Sequence, residues 1–159
     1  MICIIGTGYV GLCTAVGFAS LGYKVICVDI DRNKVERINR GESIIYERGL
    51  GPLLKEAVSK KLLEATNTVP VDSEVFFITV NTPSKEDRSV DISYVEKAAK
   101  DIADALKKAN GYKLVVVKST VVPKTTEEVV IPVLAKSGKK LGKDLGVCVN
   151  PEFLREGHA

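Results

Sequence analysis

A short glycine-rich segment near the start of the chain constrains the fold more than any other feature. Residues 6–11 have the spacing Gly-x-Gly-x-x-Gly, after the apolar residues 1–5 and before the largely apolar residues 12–16. The glycines therefore stand where a strand turns into a helix. A second apolar run, residues 25–28, ends at Asp29, about 20 residues beyond the glycines. This combination is typical of a loop that binds a dinucleotide.

Each glycine has a predicted role. Gly6 allows the tight turn, Gly8 lets a pyrophosphate approach the backbone, and Gly11 lets the helix pack closely against the strand. The free N–H groups and the partial positive charge of the helix N-terminus hold the phosphates. The alternative is a glycine-rich turn that binds nothing. Asp29 argues against it, because an acid at this position accepts hydrogen bonds from a ribose.

The same acid predicts NAD rather than NADP. Asp29 can accept hydrogen bonds from both ribose hydroxyls, and its charge would repel a 2′-phosphate. Arg32 and Lys34 are the counter-argument, since a nearby base can accommodate that phosphate. We expect NAD on the balance of these charges.

Strand patterns and helix patterns alternate along the rest of the chain. Strands are predicted at residues 1–5, 25–28, 62–66, 75–80, 114–117 and 145–149. Helices are predicted from residue 12, at 31–41 with Asp31 as N-cap, at 50–58, at 93–109 with a cap near Asp91 or Ser93 and a capping box of Ser93 with Glu96, and at 125–137 with a kink at Pro132. This alternation predicts an α/β fold, a Rossmann-type doubly wound parallel sheet of six strands in the order 3-2-1-4-5-6.

Composition narrows the functional classes. The 159 residues suit one domain. The net charge of +3 is small, and the 23 basic residues are spread along the chain, so no nucleic-acid partner is expected. The start of the chain lacks the pattern of a signal peptide, and no apolar run approaches the length of a membrane span. We therefore expect a cytoplasmic protein without a membrane partner.

The thiols and the histidine do not indicate a metal site. Cys3, Cys13, Cys27 and Cys148 have no Cys-x-x-Cys spacing and lie in apolar runs, which predicts buried, reduced thiols. His158 is the only histidine and is predicted at the surface. We expect no metal.

Polar residues follow the predicted strands, at the edge of a parallel sheet where ligands bind. They are residues 81–83, 118–123 and 150–157. Taken singly, many of them could be ordinary turn residues. Glu152 and Glu156 differ, because two carboxylates beside the Thr120 hydroxyl could accept a proton from a substrate hydroxyl or a water.

With these segments in place, the sequence resembles the amino-terminal, NAD-binding domain of the UDP-glucose/GDP-mannose dehydrogenase family. The resemblance covers essentially the whole chain. It is carried by Gly6-Thr7-Gly8-Tyr9-Val10-Gly11-Leu12, Val28-Asp29-Ile30-Asp31, Tyr46-Glu47 with Gly49-Leu50, Thr82-Pro83, Asp91-Ile92-Ser93-Tyr94-Val95, Lys118-Ser119-Thr120-Val121 and Asn150-Pro151-Glu152-Phe153-Leu154-Arg155-Glu156-Gly157.

The resemblance implies an activity and a set of site residues. The family oxidises the C6 alcohol of a nucleotide sugar to a carboxylate in two NAD-dependent steps through a cysteine thioester, as from UDP-glucose to UDP-glucuronate, for polysaccharide biosynthesis. Thr120 and Glu152 are implied as catalytic residues, and Glu152, Phe153 and Leu154 as substrate-binding residues. The implied cofactor-binding residues are Gly6, Gly8, Tyr9, Val10, Gly11, Asp29, Lys34, Thr82, Thr120 and Glu156.

The family also has parts that these residues do not match. Its central helix, catalytic cysteine and nucleotide-sugar domain are absent, so we interpret residues 1–159 as the NAD-binding segment of a longer enzyme, a homodimer when full length and inactive as the segment alone. The alternative is a free-standing dinucleotide-binding or redox-sensing module without catalysis. Ile44 and Arg48 replace the family's usual prolines, and Lys124 replaces a frequent glycine.

Overall fold

A computed structural model describes residues 1–157 of the chain. His158, predicted at the surface, lies outside the described residues. The sheet has six parallel strands in the order β3-β2-β1-β4-β5-β6, which confirms the predicted fold. The strands are β1 (Ile2–Ile5), β2 (Val25–Val28), β3 (Leu63–Thr66), β4 (Val75–Ile78), β5 (Lys113–Val117) and β6 (Leu145–Val149). The helices are α1 (Tyr9–Ser20), α2 (Arg32–Asn39), α3 (Leu50–Ser59), α4 (Ser93–Leu106) and α5 (Ile131–Ala135).

Strand β1 lies at the centre of the sheet and is buried on both faces. Ile2 and Ile4 pack into the cluster beneath α1 and α3, whereas Cys3 and Ile5 pack into the cluster beneath α4 and α5. Because successive side chains of a strand point to opposite faces, both sets must be apolar. This explains the uninterrupted apolar run in the sequence.

Two of the predicted helix caps have different outcomes. Asp31 is the N-cap of α2, and its Oδ1 atom accepts hydrogen bonds from Asn33 N at 2.9 Å and Lys34 N at 3.4 Å. The predicted capping box on Ser93 is wrong, because Ser93 is the first residue of α4 and Ile92 is its N-cap. The other candidate, Asp91, is not the N-cap either, but its Oδ1 accepts a hydrogen bond from Ser93 N at the start of the helix, at 2.9 Å.

The last crossover contains a wide turn that the sequence pattern did not show. Residues Thr126–Val130 form a π-helical turn, and α5 follows it. Pro132 at the start of α5 has no N–H group and its ring crowds the carbonyl four residues earlier, which favours the wider turn. Lys124, at a position where the resemblance implied glycine, has a φ of 71°, in the region that favours glycine.

The prediction of four buried thiols is wrong for two of them. Cys3 and Cys27 are buried, but Cys13 is half-buried and Cys148 is exposed. Cys148 lies near the end of β6, where Val149 is also 51% exposed, because β6 is the edge strand of the sheet. Within residues 1–157, no helix has both the length and the apolar character needed to cross a membrane.

Candidate dinucleotide site

The glycine loop packs against Thr79, which follows β4. The Thr79 hydroxyl donates to the carbonyls of Ile5 and Gly6 at 2.9 and 2.8 Å. Gly6 has a φ of 95°, and a Cβ atom there would lie 2.8 Å from the Thr79 carbonyl oxygen. A Cβ atom on Gly11 would lie 1.9 Å from the Gly6 carbonyl oxygen. Gly6 and Gly11 are therefore required by the protein's own packing.

The packing of the protein does not require a glycine at position 8. A Cβ atom there would meet only the Asn81 Oδ1 atom, at 3.4 Å, so the space in front of Gly8 is open. Gly8 is also the N-cap of α1 and gives no side-chain cap to the first N–H groups. A backbone that is open to solvent at the positive end of a helix fits a pyrophosphate.

A groove of about 1020 Å³ begins at this loop. It is lined by the ends of β1, β2 and β4 and by one side of α4, as expected for a ligand at the carboxyl ends of parallel strands. The predicted residues Gly6, Gly8, Asp29 and Lys34 line it together. The volume is at the upper end of the range for small-molecule sites.

Asp29 is held firmly at the wall of this groove. Its Oδ2 atom accepts hydrogen bonds from Thr7 N at 2.9 Å and Thr7 Oγ1 at 2.5 Å, and its Oδ1 atom accepts from Asp31 N at 3.0 Å. Lys34 Nζ lies 3.9 Å from Oδ2. Burial acts to raise the pKa of Asp29, but these donors outweigh burial and leave the pKa below its usual value. The carboxylate is thus ionised at neutral pH.

A second cavity, of about 230 Å³, adjoins the first at Gly8 and residues 79–81. It brings together predicted residues from four loops, namely Gly8, Tyr9, Val10, Thr82, Thr120, Glu152, Leu154 and Glu156. Thr82 Oγ1 donates to the Thr120 carbonyl at 2.8 Å and so joins the loops after β4 and β5. Phe153 lines neither cavity and is 90% exposed.

Glu152 forms an ion pair in this cavity that the sequence did not reveal. Its Oε2 atom lies 3.0 Å from Lys118 Nζ, and the two side chains are only 10% and 13% exposed. Lys118 Nζ also donates to Asn150 Oδ1 at 3.0 Å. Burial acts to raise the pKa of Glu152, but the Leu154 N–H group and Lys118 outweigh it and lower the pKa.

Beyond its ion pair with Lys118, the Oε2 atom of Glu152 has acceptor capacity left. Within residues 1–157, Glu152 Oε2 is buried and accepts no hydrogen bond of normal geometry. Buried polar atoms are almost always hydrogen-bonded, so the atom is suited to a donor on a bound ligand or a water.

Tyr9 connects the glycine loop to two distant segments. Its hydroxyl donates to the Glu47 carboxylate and accepts a hydrogen bond from Gly157 N at 3.0 Å. The loop before α3 and the segment after β6 therefore meet at the glycine loop.

Several functional residues were missed by reasoning from the sequence. Thr7 and Lys118 contact the predicted site residues Asp29 and Glu152, Asn81 lines both cavities, and Asn150 accepts a hydrogen bond from Lys118. Thr7 occupies a variable position of the glycine spacing, and Lys118 simply follows an apolar strand. The only available signal was their place after strands, and it does not identify partners 22 and 34 residues away.

Comparisons with known proteins agree with this geometry. The family model described as "UDP-glucose/GDP-mannose dehydrogenase family, NAD binding domain" matches residues 1–159. The chain is 43% identical to a GDP-mannose 6-dehydrogenase of Azotobacter vinelandii and 41% identical to the UDP-glucose 6-dehydrogenase AglM of Haloferax volcanii. These matches cover 99% and 98% of this chain but 37% of each relative.

A solved structure shows the same fold. The crystal structure of a ternary complex of GDP-mannose dehydrogenase from Pseudomonas aeruginosa superposes with a TM-score of 0.95 at 42% identity. It covers 98% of this chain and 37% of that one. The chain thus spans a little over a third of the length of these relatives.

Proposed function

The chain belongs to the UDP-glucose/GDP-mannose dehydrogenase family and is its NAD-binding domain, and on that premise we propose that it serves a nucleotide-sugar 6-dehydrogenase. The cofactor is NAD. The observation that carries the proposal is the pair of adjoining cavities, one with an acid at its wall and one with the buried acceptor of Glu152.

The large groove has the groups that a dinucleotide needs. The open backbone at Gly8 and the uncapped start of α1 face the pyrophosphate. Asp29 accepts hydrogen bonds from the adenosine ribose, with Lys34 beside it. NAD supplies the hydride acceptor when bound. Its reactive end is expected towards the second cavity, whose residues Tyr9, Val10, Thr82, Thr120 and Glu156 we assign to that part of the cofactor.

The second cavity has the groups that oxidation of an alcohol needs. Removing a hydride from the C6 carbon requires that the C6 hydroxyl lose its proton. Glu152 is ionised and its Oε2 atom has acceptor capacity, so we assign it as the proton acceptor. Thr120 lies in the same cavity and would relay or orient that proton through its hydroxyl. Main-chain groups at Phe153 and Leu154 are assigned to the sugar.

The thioester step needs a thiolate that these residues do not present. None of the cysteines within residues 1–157 lines either cavity. Burial raises the pKa of Cys27 to about 12, and burial with the charges of Glu47 and Glu152 raises that of Cys13 to about 11. Neither thiol is a reactive nucleophile at neutral pH. We therefore propose that this chain binds NAD but does not complete the oxidation by itself.

The test is to mix the purified chain with NAD and UDP-glucose, GDP-mannose or UDP-N-acetylmannosamine and follow NADH absorbance. We expect NAD binding by calorimetry and no NADH above the blank. Among the substrates, we propose a UDP-glucose type, which a full-length enzyme carrying this domain should oxidise fastest. Steady NADH production by the chain alone, lost in Glu152→Gln, would overturn the proposed inactivity. Absence of NAD binding would overturn the cofactor site.

A further inference from the structure

Thr7 is a polar side chain in an unexpected place. It lies between Gly6 and Gly8 and is fully buried. Both its N–H group and its hydroxyl donate to one atom, Asp29 Oδ2, at 2.9 and 2.5 Å. The contact joins the end of β1 to the end of β2 across 22 residues of sequence. No hydroxyl is needed for the glycine turn itself, whose carbonyls are already bonded to Thr79.

The orientation of Asp29 depends on such donors. The last torsion of an aspartate is soft, so the direction of its oxygens is set by what they bond to. An ionised carboxylate has about four acceptor sites. Two donors on Oδ2 and one on Oδ1 leave about one site, on Oδ1. The side chain is only 9% exposed, which limits how water could replace a lost donor.

We infer that Thr7 is a positioning residue for the cofactor, whose hydroxyl fixes the Asp29 carboxylate in the orientation that presents its remaining acceptor site to the adenosine ribose. The inference rests on the proposed role of Asp29. Without the hydroxyl, Oδ2 keeps the N–H group alone and its second site opens, so the carboxylate can rotate away from the groove or take a water. The loss falls on ribose recognition and leaves the phosphate loop intact.

Two ligands distinguish a loss of ribose recognition from a loss of phosphate binding. ADP carries both ribose hydroxyls, whereas 2′,3′-dideoxy-ADP has the same adenine and phosphates without them. Calorimetry with the intact chain should show that Thr7→Val, which keeps the shape and removes the hydroxyl, weakens ADP binding about tenfold and changes dideoxy-ADP binding little. Thr7→Ser, which keeps the hydroxyl, should restore most of the ADP affinity.

Two matched threonines serve as controls. Thr79→Val removes a buried hydroxyl that supports the glycine turn, so it should weaken both ligands equally. Thr126→Val removes a buried hydroxyl in the π-helical turn that has no partner within residues 1–157, so it should change neither affinity.

The outcomes separate this inference from the proposed site. If wild type binds ADP better than dideoxy-ADP, but Thr7→Val weakens both ligands equally or neither, Thr7 does not position Asp29 and the inference is wrong. Failure of Thr7→Ser to restore ADP binding would likewise overturn it, because a hydroxyl at this position would then not be enough to orient Asp29. If wild type does not distinguish the two ligands, the ribose role of Asp29 fails, and the inference fails with it.

Discussion

At the scale of single residues, the three glycines of the loop are needed for different physical reasons. Gly6 and Gly11 are forced by contacts of the protein with itself, whereas the space before Gly8 is open. Substitutions of Gly6 or Gly11 should therefore lower stability, whereas substitutions of Gly8 should weaken cofactor binding.

A pair of substitutions tests this separation. Gly8→Val should abolish NAD binding, because the side chain fills the space of the pyrophosphate, and should leave the melting temperature nearly unchanged. Gly11→Ala should lower the free energy of unfolding by about 1–3 kcal/mol, because the Cβ of the alanine would lie 1.9 Å from the Gly6 carbonyl oxygen. Calorimetry and thermal unfolding measure both. Normal NAD binding by a folded Gly8→Val variant would show that the loop is not the phosphate site.

The pair Lys118–Glu152 gives a prediction that depends on pH. Lys118→Met removes the cation and leaves a largely buried carboxylate, so we expect a loss of about 1–3 kcal/mol near neutral pH. The pKa of Glu152 is lowered in the folded protein, so the stability it contributes is present above its unfolded pKa and is lost as the pH falls through its folded pKa. The difference between variant and wild type should therefore shrink in acid. Carboxyl NMR should show the pKa of Glu152 rising in the variant.

Lys100→Met provides the control for this experiment. Lys100 pairs with Glu96 at 2.9 Å on the exposed face of α4, where an ion pair contributes little. A loss as large as that of Lys118→Met would mean that the methionine, and not the burial of the pair, is responsible.

At the scale of secondary-structure elements, strand β3 is stabilised by a side chain from α2. Asn39 Nδ2 donates to the Ala65 carbonyl at 2.9 Å, and Asn39 Oδ1 accepts from Ala65 N at 2.7 Å. The amide thus bonds both backbone groups of Ala65, as a neighbouring strand would, at the edge of the sheet.

Removal of this amide should loosen β3. Asn39→Ala is expected to cost about 1–3 kcal/mol, the net value of two hydrogen bonds, with faster hydrogen exchange at residues 63–66. Asn33→Ala, on the exposed surface of the same helix, should have little effect. If both variants unfold at the same denaturant concentration, the contact does not stabilise the edge.

How far the sequence predicts this molecule depends on the range of each signal. Strand β1 and helix α4 were predictable because burial on two faces or on one stripe imposes a local pattern. The glycine loop and Asp29 were predictable because their spacing is short and specific. The contacts of Asn39, Thr7 and Lys118 join segments that only the folded chain brings together. The predicted strand order already placed the sixth strand at the edge, but the apolar pentapeptide that contains Cys148 was interpreted by itself, and its pattern does not show that an edge strand is exposed.

At the scale of the whole molecule, the dinucleotide groove is lined from both halves of the sheet, with Asp29 from one half and α4 residues from the other. A ligand that contacts both halves should stabilise the domain as a unit. At one hundred times its dissociation constant, NAD should add about 2.7 kcal/mol. For a domain of this size that is a rise in melting temperature of about 5–10 °C.

NADP at the same concentration should give a smaller rise, because the charge of Asp29 opposes a 2′-phosphate. Gly8→Val should give none with either nucleotide. An equal or larger shift with NADP would show that Lys34 and Arg32 outweigh the acid.

The central position of β1 also determines how long this strand waits for its second partner during synthesis. Strand β1 leaves the ribosome before both of its partner strands, and Val75 of β4, which pairs with Ile2, follows 73 residues later. At about 5–20 residues per second, this delay is on the order of 4–15 s. During that interval the four apolar residues of β1 can pair with β2 on one side only, and their other side is open to any strand nearby. A strand that is fully buried in the finished domain is therefore the one that spends longest with an unpaired side during synthesis, when a chaperone would have most to protect.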